Sequence, residues 1–245
     1  MDAVILAGGR TTPDLQEATG CSMRGDLMMG GRRLVQIAYE ACKNVCSGYV
    51  ICVGSSVEGA VALPAGQTFL ESIRSGLEAS SGTEVVLCTA DMPFLTGDAL
   101  NSFISQCERD AHINYAIVPT ALSESRYPGI RRTSLAIREG RFTGGNVALV
   151  SREAFLSVLP ILERAYANRK SPLRLAMQVG VGTLARVMLA KFLPKTLPLR
   201  ELENRVGRFI HGRVHAVVSD SPEIATDVDN LEQYKAVLEI LKADP

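Results

Sequence analysis

Two short stretches of this 245-residue chain hold residue types suited to chemistry. In DAVILAGGR (2–10) an apolar run ends at Gly8-Gly9-Arg10. Glycines let backbone N–H groups approach phosphate oxygens closely, and an adjacent arginine offers a forked donor to the same oxygens. Neither GxGxxG nor GxxxxGK(S/T) is present, which excludes the Rossmann and P-loop fingerprints; Gly-Gly alone also serves any tight turn. In EVVLCTADMPFLT (84–96), Asp91 directly follows an apolar run and Pro93 turns the chain. A carboxylate held there suits a hard cation such as Mg2+, which takes one or two carboxylates plus phosphate oxygens. In isolation the same residue reads as a turn or helix-capping aspartate.

Both stretches need a scaffold that brings them together. Apolar runs at 2–7, 48–54, 84–90 and 114–119 read as buried strands. Between them, 33–45, 68–80 and 97–110 have helical spacing, the last starting at Thr96 or Asp98. This alternation predicts βαβ units and a mainly parallel sheet with helices on both faces, an α/β fold. Ligands of such sheets sit beyond the carboxyl ends of the strands, where both stretches fall. After Pro119 the rhythm changes. A hairpin is expected near Glu139-Gly140, then a strand at 146–150 and a helix from Arg152 to about Asn168. Residues 171–204 read as helical, interrupted by Pro194 and Pro198, before a strand at 213–219 and an amphipathic helix at 230–243. With no repeat or linker, residues 1–245 read as a single domain.

Hydrophobic content of 47% and charged content of 21% fit an ordinary globular protein, and no apolar run is long enough to span a bilayer. The N-terminus enters a strand without a basic, then apolar, leader, so a cytoplasmic location is expected. Six cysteines without a CxxC pair read as reduced thiols, with Cys42 and Cys46 as core residues one helical turn apart. A net charge of zero conceals an asymmetry. Residues 121–213 carry 14 Arg and 3 Lys against 6 Glu and no Asp, a block that reads either as a solvated surface or as a positive wall facing an anionic ligand. His211 and His215 lie on a probable strand, about 13 Å apart, too far to share a metal. The basic amphipathic stretch 172–195 reads first as core packing, with weak contact to a membrane surface as the second reading. Nucleic-acid binding is not expected, because the basic residues are not interleaved with aromatics and Trp is absent.

Taken together, VILAGGR and DMPFL resemble the nucleotidyltransferases of the glycosyltransferase-A-like fold, and among them the MobA-like group. GQTFLESIRSGLEA (66–79) resembles that family's base- and ribose-contacting turn and helix, TGGN (143–146) its acceptor-side loop, and ATDVDNLEQY (225–234) its terminal acidic pattern. The resemblance implies a three-layer α/β/α fold with a mixed, mostly parallel sheet, as in nucleotide-diphospho-sugar transferases. It divides the chain into an NTP-binding half (1–120), an acceptor half (121–229) and a C-terminal helix (230–245). The implied reaction is Mg2+-dependent transfer of a nucleotidyl group from an NTP to an anionic, phosphate-bearing small molecule, releasing pyrophosphate.

The resemblance also implies a site. Leu6, Ala7, Gly8, Gly9, Arg10 and Arg24 cradle the triphosphate, and Gly66 and Ser72 face the nucleoside. Asp91 and Asp229 hold the metal, with Asp227 as the alternative, and Arg10, Arg24 and Asp91 carry catalysis. Arg131, Arg132, Arg141, Gly144, Gly145 and Asn146 face the acceptor. The family's first loop reads Gly-Gly-x-x-x-Arg-Met and then Pro-Lys; here the second arginine is missing and Arg24 stands at the lysine position. The loop is about four residues longer, and Asp14, Glu17 and Asp26 add carboxylates near the expected phosphates. Two readings follow: an active enzyme using a remodelled, mobile loop, or a catalytically weak or inactive nucleotide-binding or regulatory protein on the same fold.

Overall fold

In the computed structural model, residues 1–167 and 197–243 are described. Strands β1 (Asp2–Leu6), β4 (Val50–Val53), β5 (Val61–Leu63), β6 (Glu84–Thr89), β7 (Ile113–Pro119), β9 (Gly140–Ser151) and β10 (Val214–Val218) form one sheet in the order β10-β7-β9-β6-β1-β4-β5. Strand β8 (Ser134–Ile137) pairs with β9 as a hairpin. Strand β9 runs antiparallel to both β6 and β7, while the β1–β4, β1–β6, β4–β5 and β7–β10 pairs are parallel. The sheet is therefore mixed and mostly parallel, as expected. A small second ribbon joins β2 (Met28–Met29) to β3 (Arg32–Arg33).

The strands at the centre are buried on both sides, which explains their unbroken apolar runs. One face packs on α2 (Leu34–Val45), α4 (Gly97–Ser105) and α8 (Leu231–Ala243) through Leu34, Ile37, Leu100, Phe103 and Val237. The other packs on α3 (Phe69–Ala79) and α6 (Arg152–Ala167) through Leu70, Ile73, Leu77, Phe155 and Leu159. This gives three layers. Cys42 and Cys46 are buried in the first core, as the spacing predicts.

Several boundaries differ from the sequence reading. The helix expected over 97–110 ends at Ser105, because the apolar stripe stops at Ile104 and the Asn114 side chain ties the Glu108 backbone into a turn. Among the elements beyond that reading are α1 (Pro13–Thr19), the β2–β3 ribbon, the short edge strand β5 and α5 (Thr120–Arg126). The TGGN segment is not a loop; it lies inside β9, which starts six residues before the predicted strand. Helix α7 (Leu199–Ile210) begins behind Pro198 and continues past 204 to an αL cap at His211. The remainder of the 171–204 helical reading, and the membrane reading of 172–195, lie outside the described residues. No described helix is long and apolar enough to cross a membrane.

Candidate active site

Strand β1 delivers Ala7-Gly8-Gly9 to the carboxyl edge of the sheet, between the ends of β4 and β6. The Ala7 N–H donates to Val53 O at 2.8 Å, and the Ala90 N–H donates to Leu6 O at 3.1 Å. The chain then makes a closed excursion. Arg10 pairs with Met23 across an antiparallel bridge, and the Arg24 N–H returns to Gly9 O at 2.8 Å. Inside the excursion, α1 starts at Pro13, buries Leu15 and ends at Gly20, whose φ of 72° suits a residue without a side chain. The long polar loop is thus a helix stitched at its base, not an open phosphate loop.

Most of the expected NTP-binding residues, among them Leu6, Gly8 and Gly9, line a cleft of about 360 Å3 that also reaches Asp91. Gly66 and Ser72 form its far wall. The Thr68 hydroxyl caps α3 by accepting from the Glu71 N–H, and Ser72 Oγ accepts from the Gly66 N–H at 3.0 Å, so helix start and turn are built together. A Cβ on Gly66 would sit 2.6 Å from Glu71 Cβ and 2.8 Å from the Ser72 nitrogen. We therefore expect Gly66→Ala to reshape this wall and weaken nucleotide binding about tenfold, read by titration calorimetry. Unchanged affinity would remove the turn from the site. Arg10 is exposed and does not line the cleft.

Three carboxylates meet around Asp91, which lines the cleft. Oxygens of Asp91, Asp227 and Asp229 lie within 4.8 Å of one another. The Val228 N–H donates to Asp91 O at 3.0 Å, which fixes the late acidic segment beside β6. Asp229 is steadied from α8, where Gln233 Oε1 accepts from its N–H at 2.7 Å. Burial pushes the Asp91 carboxyl above its ordinary value, against the pull of Arg24. Burial, with the charges of Asp229 and Asp91, pushes Asp227 up to about 6, while the neighbouring Asn146 side chain works the other way.

Arg24 is placed differently from the expected phosphate donor. Its Nη1 pairs with Asp91 Oδ2 at 2.8 Å and also with Asp229 Oδ1, and its buried Nε has no partner. The guanidinium lies where two carboxylates converge. It also lies against Gly9, where a Cβ would come within 2.7 Å of Nη2.

The acceptor-side residues divide. Asn146 reaches Asp227, and Gly145 is packed against Ala116 and Ile224, where no side chain fits. Arg132 is not free for a ligand: its Nε donates to Ala225 O at 2.7 Å and its Nη2 to Thr226 Oγ1, so it holds the segment before Asp227 in place. Arg131 is exposed, and its carbonyl accepts from Gln233. Arg141 is exposed on the β8–β9 hairpin and donates to Ser134 Oγ at 3.1 Å; five strand residues separate it from Asn146, about 17 Å.

Among the described residues, several arginines of the basic block are taken up by partners away from the cleft. Arg152 donates to Leu77 O, Arg205 pairs with Glu201, and Arg213 pairs with Glu108 and Asp110. Asp26 is likewise used structurally, accepting from Arg33 and Ser55. Asp14 and Glu17 lie exposed on α1. His211 caps α7, and His215 on β10 faces Glu203. Tyr166 and Thr89 also line the cleft, beyond the residues the sequence singles out. No local pattern marks Tyr166, which arrives from the end of α6.

A family model described as the MobA-like NTP transferase domain matches residues 3–154. The chain belongs to the MobA-like NTP transferase family. Among solved structures, a hypothetical transferase from Thermus thermophilus is 33% identical, with a TM-score of 0.84, covering 95% of this chain and 98% of its own. The 2-C-methyl-D-erythritol 4-phosphate cytidylyltransferase of Thermus thermophilus shares the fold at 15% identity and TM-score 0.56, covering 99% of this chain and 100% of its own. A Mycobacterium tuberculosis protein solved as a complex with manganese does so at 14% identity and TM-score 0.51, covering 97% of each chain. No curated protein matches. The nucleotidyltransferase fold is shared throughout, and this family member is a transferase by that kinship.

Proposed function

We propose that this transferase moves a nucleotidyl group from an NTP to an anionic, phosphate-bearing small molecule and releases pyrophosphate. The observation that carries this reading is that Asp91, which lines a glycine-walled cleft at the carboxyl ends of β1 and β6, converges there with Asp227 and Asp229. The donor set fits a hard divalent cation. All three ligands are carboxylate oxygens, and Asp91 Oδ1 is buried without a hydrogen-bond partner. Asp91 and Asp229, joined by Asp227, would hold Mg2+, which supplies charge neutralisation for the triphosphate oxygens. The manganese complex of the mycobacterial neighbour agrees with divalent-metal use.

In this scheme the Gly8 and Gly9 backbone receives the triphosphate, with Arg10 at the mouth. Ser72 and the Gly66 turn orient the nucleoside. Arg24 leaves the carboxylates for phosphate oxygens as the negative charge of the substrate arrives, because a guanidinium pairs equally well with phosphate. On the acceptor side, Asn146 and Gly144 frame the entry, with Arg131 and Arg141 on the same half of the chain, and Arg132 and Gly145 support the frame. An acceptor phosphate oxygen then attacks the α-phosphorus in line and pyrophosphate departs. Positioning and charge stabilisation supply most of the rate. Residues 1–120 and 121–229 serve donor and acceptor within one domain closed by α8 (Leu231–Ala243). A reducing, cytoplasmic setting completes the proposal.

Arg24 also favours a second reading, a weak or inactive nucleotide-binding protein, since its guanidinium already neutralises Asp91 and Asp229. Pyrophosphate release separates the two. With the five common NTPs, Mg2+ and phosphate-bearing acceptors, the first reading expects turnover that Arg24→Ala lowers on the order of a hundredfold. NTP-dependent thermal stabilisation without any pyrophosphate release supports the second reading and sinks the first.

A further inference from the structure

A second cavity, of about 370 Å3, lies between the outer strands and α7. Its walls include Ile117, Phe142, Leu162, Leu202 and Val206, with Gly144 on the β9 side. Two polar residues at its edge direct their polar groups elsewhere. The Thr143 hydroxyl donates to Thr133 O at 3.0 Å, and Glu203 Oε1 accepts from the Ala216 N–H at 2.7 Å. The interior is therefore apolar, yet large apolar surface stays open, with Tyr115 40% and Val206 38% exposed. Monomers rarely leave a shaped apolar hollow without a use.

The hollow neighbours the carboxylate cluster, because Tyr115, which lines it, feels the charge of Asp227. On β9, Phe142, Thr143 and Gly144 line the hollow, and the pairing with β7 is irregular between Gly144 and Ala148. Gly144 borders the hollow, and Asn146, two residues on, lies beside Asp227. Tyr115 bridges the two. Its ring lines the hollow, and its hydroxyl lies over Gly144, where a Cβ would come within 2.6 Å of it.

We propose that the acceptor is an alkyl-type monophosphate whose hydrocarbon part occupies this hollow while its phosphate meets the NTP. This rests on the transfer reading above. The volume has room for about a dozen water-sized groups, which suits a short chain rather than a long lipid tail. In the step itself, an oxygen of the acceptor phosphate dianion forms a bond to the α-phosphorus. The bond from the α-phosphorus to the bridging oxygen breaks, and pyrophosphate leaves with that electron pair. No oxidant or extra proton is needed.

Calorimetry with methyl, butyl and octyl monophosphates reads the hollow independently of turnover. Each buried methylene strengthens binding about fourfold, so butyl to octyl gains on the order of 250-fold. Val206→Asp removes that gain and leaves NTP-induced thermal stabilisation unchanged; Val206→Leu retains it. Equal affinity for all three phosphates overturns the proposal, even where methyl phosphate supports pyrophosphate release and the transfer reading stands. Chain-length-dependent binding without pyrophosphate release from any phosphate acceptor overturns the acceptor assignment together with the transfer reading. Capture by phosphatidic acid vesicles with no response to soluble octyl phosphate overturns it in favour of a membrane surface.

Discussion

Asp91→Asn is expected to lower nucleotidyl transfer on the order of a thousandfold and to abolish the Mg2+-dependent part of NTP stabilisation in a thermal-shift assay. The substitution keeps the side chain's size and removes one charge from the floor of the cleft. Asp91 is buried, and burial already pushes its carboxyl up, so the native ion is held there at a cost in stability. Replacing it with a neutral amide relieves that cost, while Arg24 keeps Asp229 as a partner. The ligand-free variant should therefore melt within a few degrees of the parent protein. Loss of activity without loss of fold is the signature of a functional carboxylate. Retention of full Mg2+-dependent turnover would remove Asp91 from the metal site.

The second large effect lies at the opposite end of β1. Asp2 is 3% exposed and binds four donors from two loops. Oδ1 accepts from the Tyr49 N–H at 2.9 Å; Oδ2 accepts from Ser80 Oγ at 2.7 Å, the Ser81 N–H at 2.9 Å and the Gly82 N–H at 2.8 Å. One carboxylate thus stitches the starts of β1, β4 and β6 together beneath the cleft. Asp2→Ala strands those donors and should cost about 3 kcal/mol, lowering the melting temperature by roughly 9 °C.

Asp2 also has a pH signature. Burial works to raise the carboxyl, but the bonds from Ser80, Gly82, Tyr49 and Ser81 outweigh it and leave it below its ordinary value. A depressed folded value means that the contribution is fully present above about pH 4 and disappears as pH falls through the folded value. Chemical denaturation between about pH 6 and pH 2 should show the parent protein and Asp2→Ala converging in stability at the acid end. A constant difference across that range would contradict the assignment.

Much of the donor side was legible in the residues. The unbroken apolar runs of β1, β4 and β6 can only be central strands of a sheet covered on both faces, and Gly8-Gly9 and Asp91 follow two of them directly. The Thr68 cap with Glu71 marks the start of α3 and hence the position of Ser72. The acceptor side was less legible. The family resemblance makes TGGN a loop, yet pairing with β6 and β7 extends β9 through it. Arginines at 131, 132 and 141 look alike in sequence, and only tertiary contacts show that Arg132 braces the backbone at 225–226 while Arg141 stays on the hairpin.

Arg24 marks the boundary between the two kinds of knowledge. Its place in the chain puts a cation close to Gly8-Gly9, because the residues on either side of the excursion resemble a known pattern. Its partners depend on Asp229, 205 residues away, and on the Val228 N–H that draws this acidic segment to Asp91. Local chemistry is written into short stretches because strands, caps and turns depend on near neighbours. The meeting of Asp91, Asp227, Asp229 and Arg24 depends on strand order and on where α8 docks, and those are properties of the packed whole.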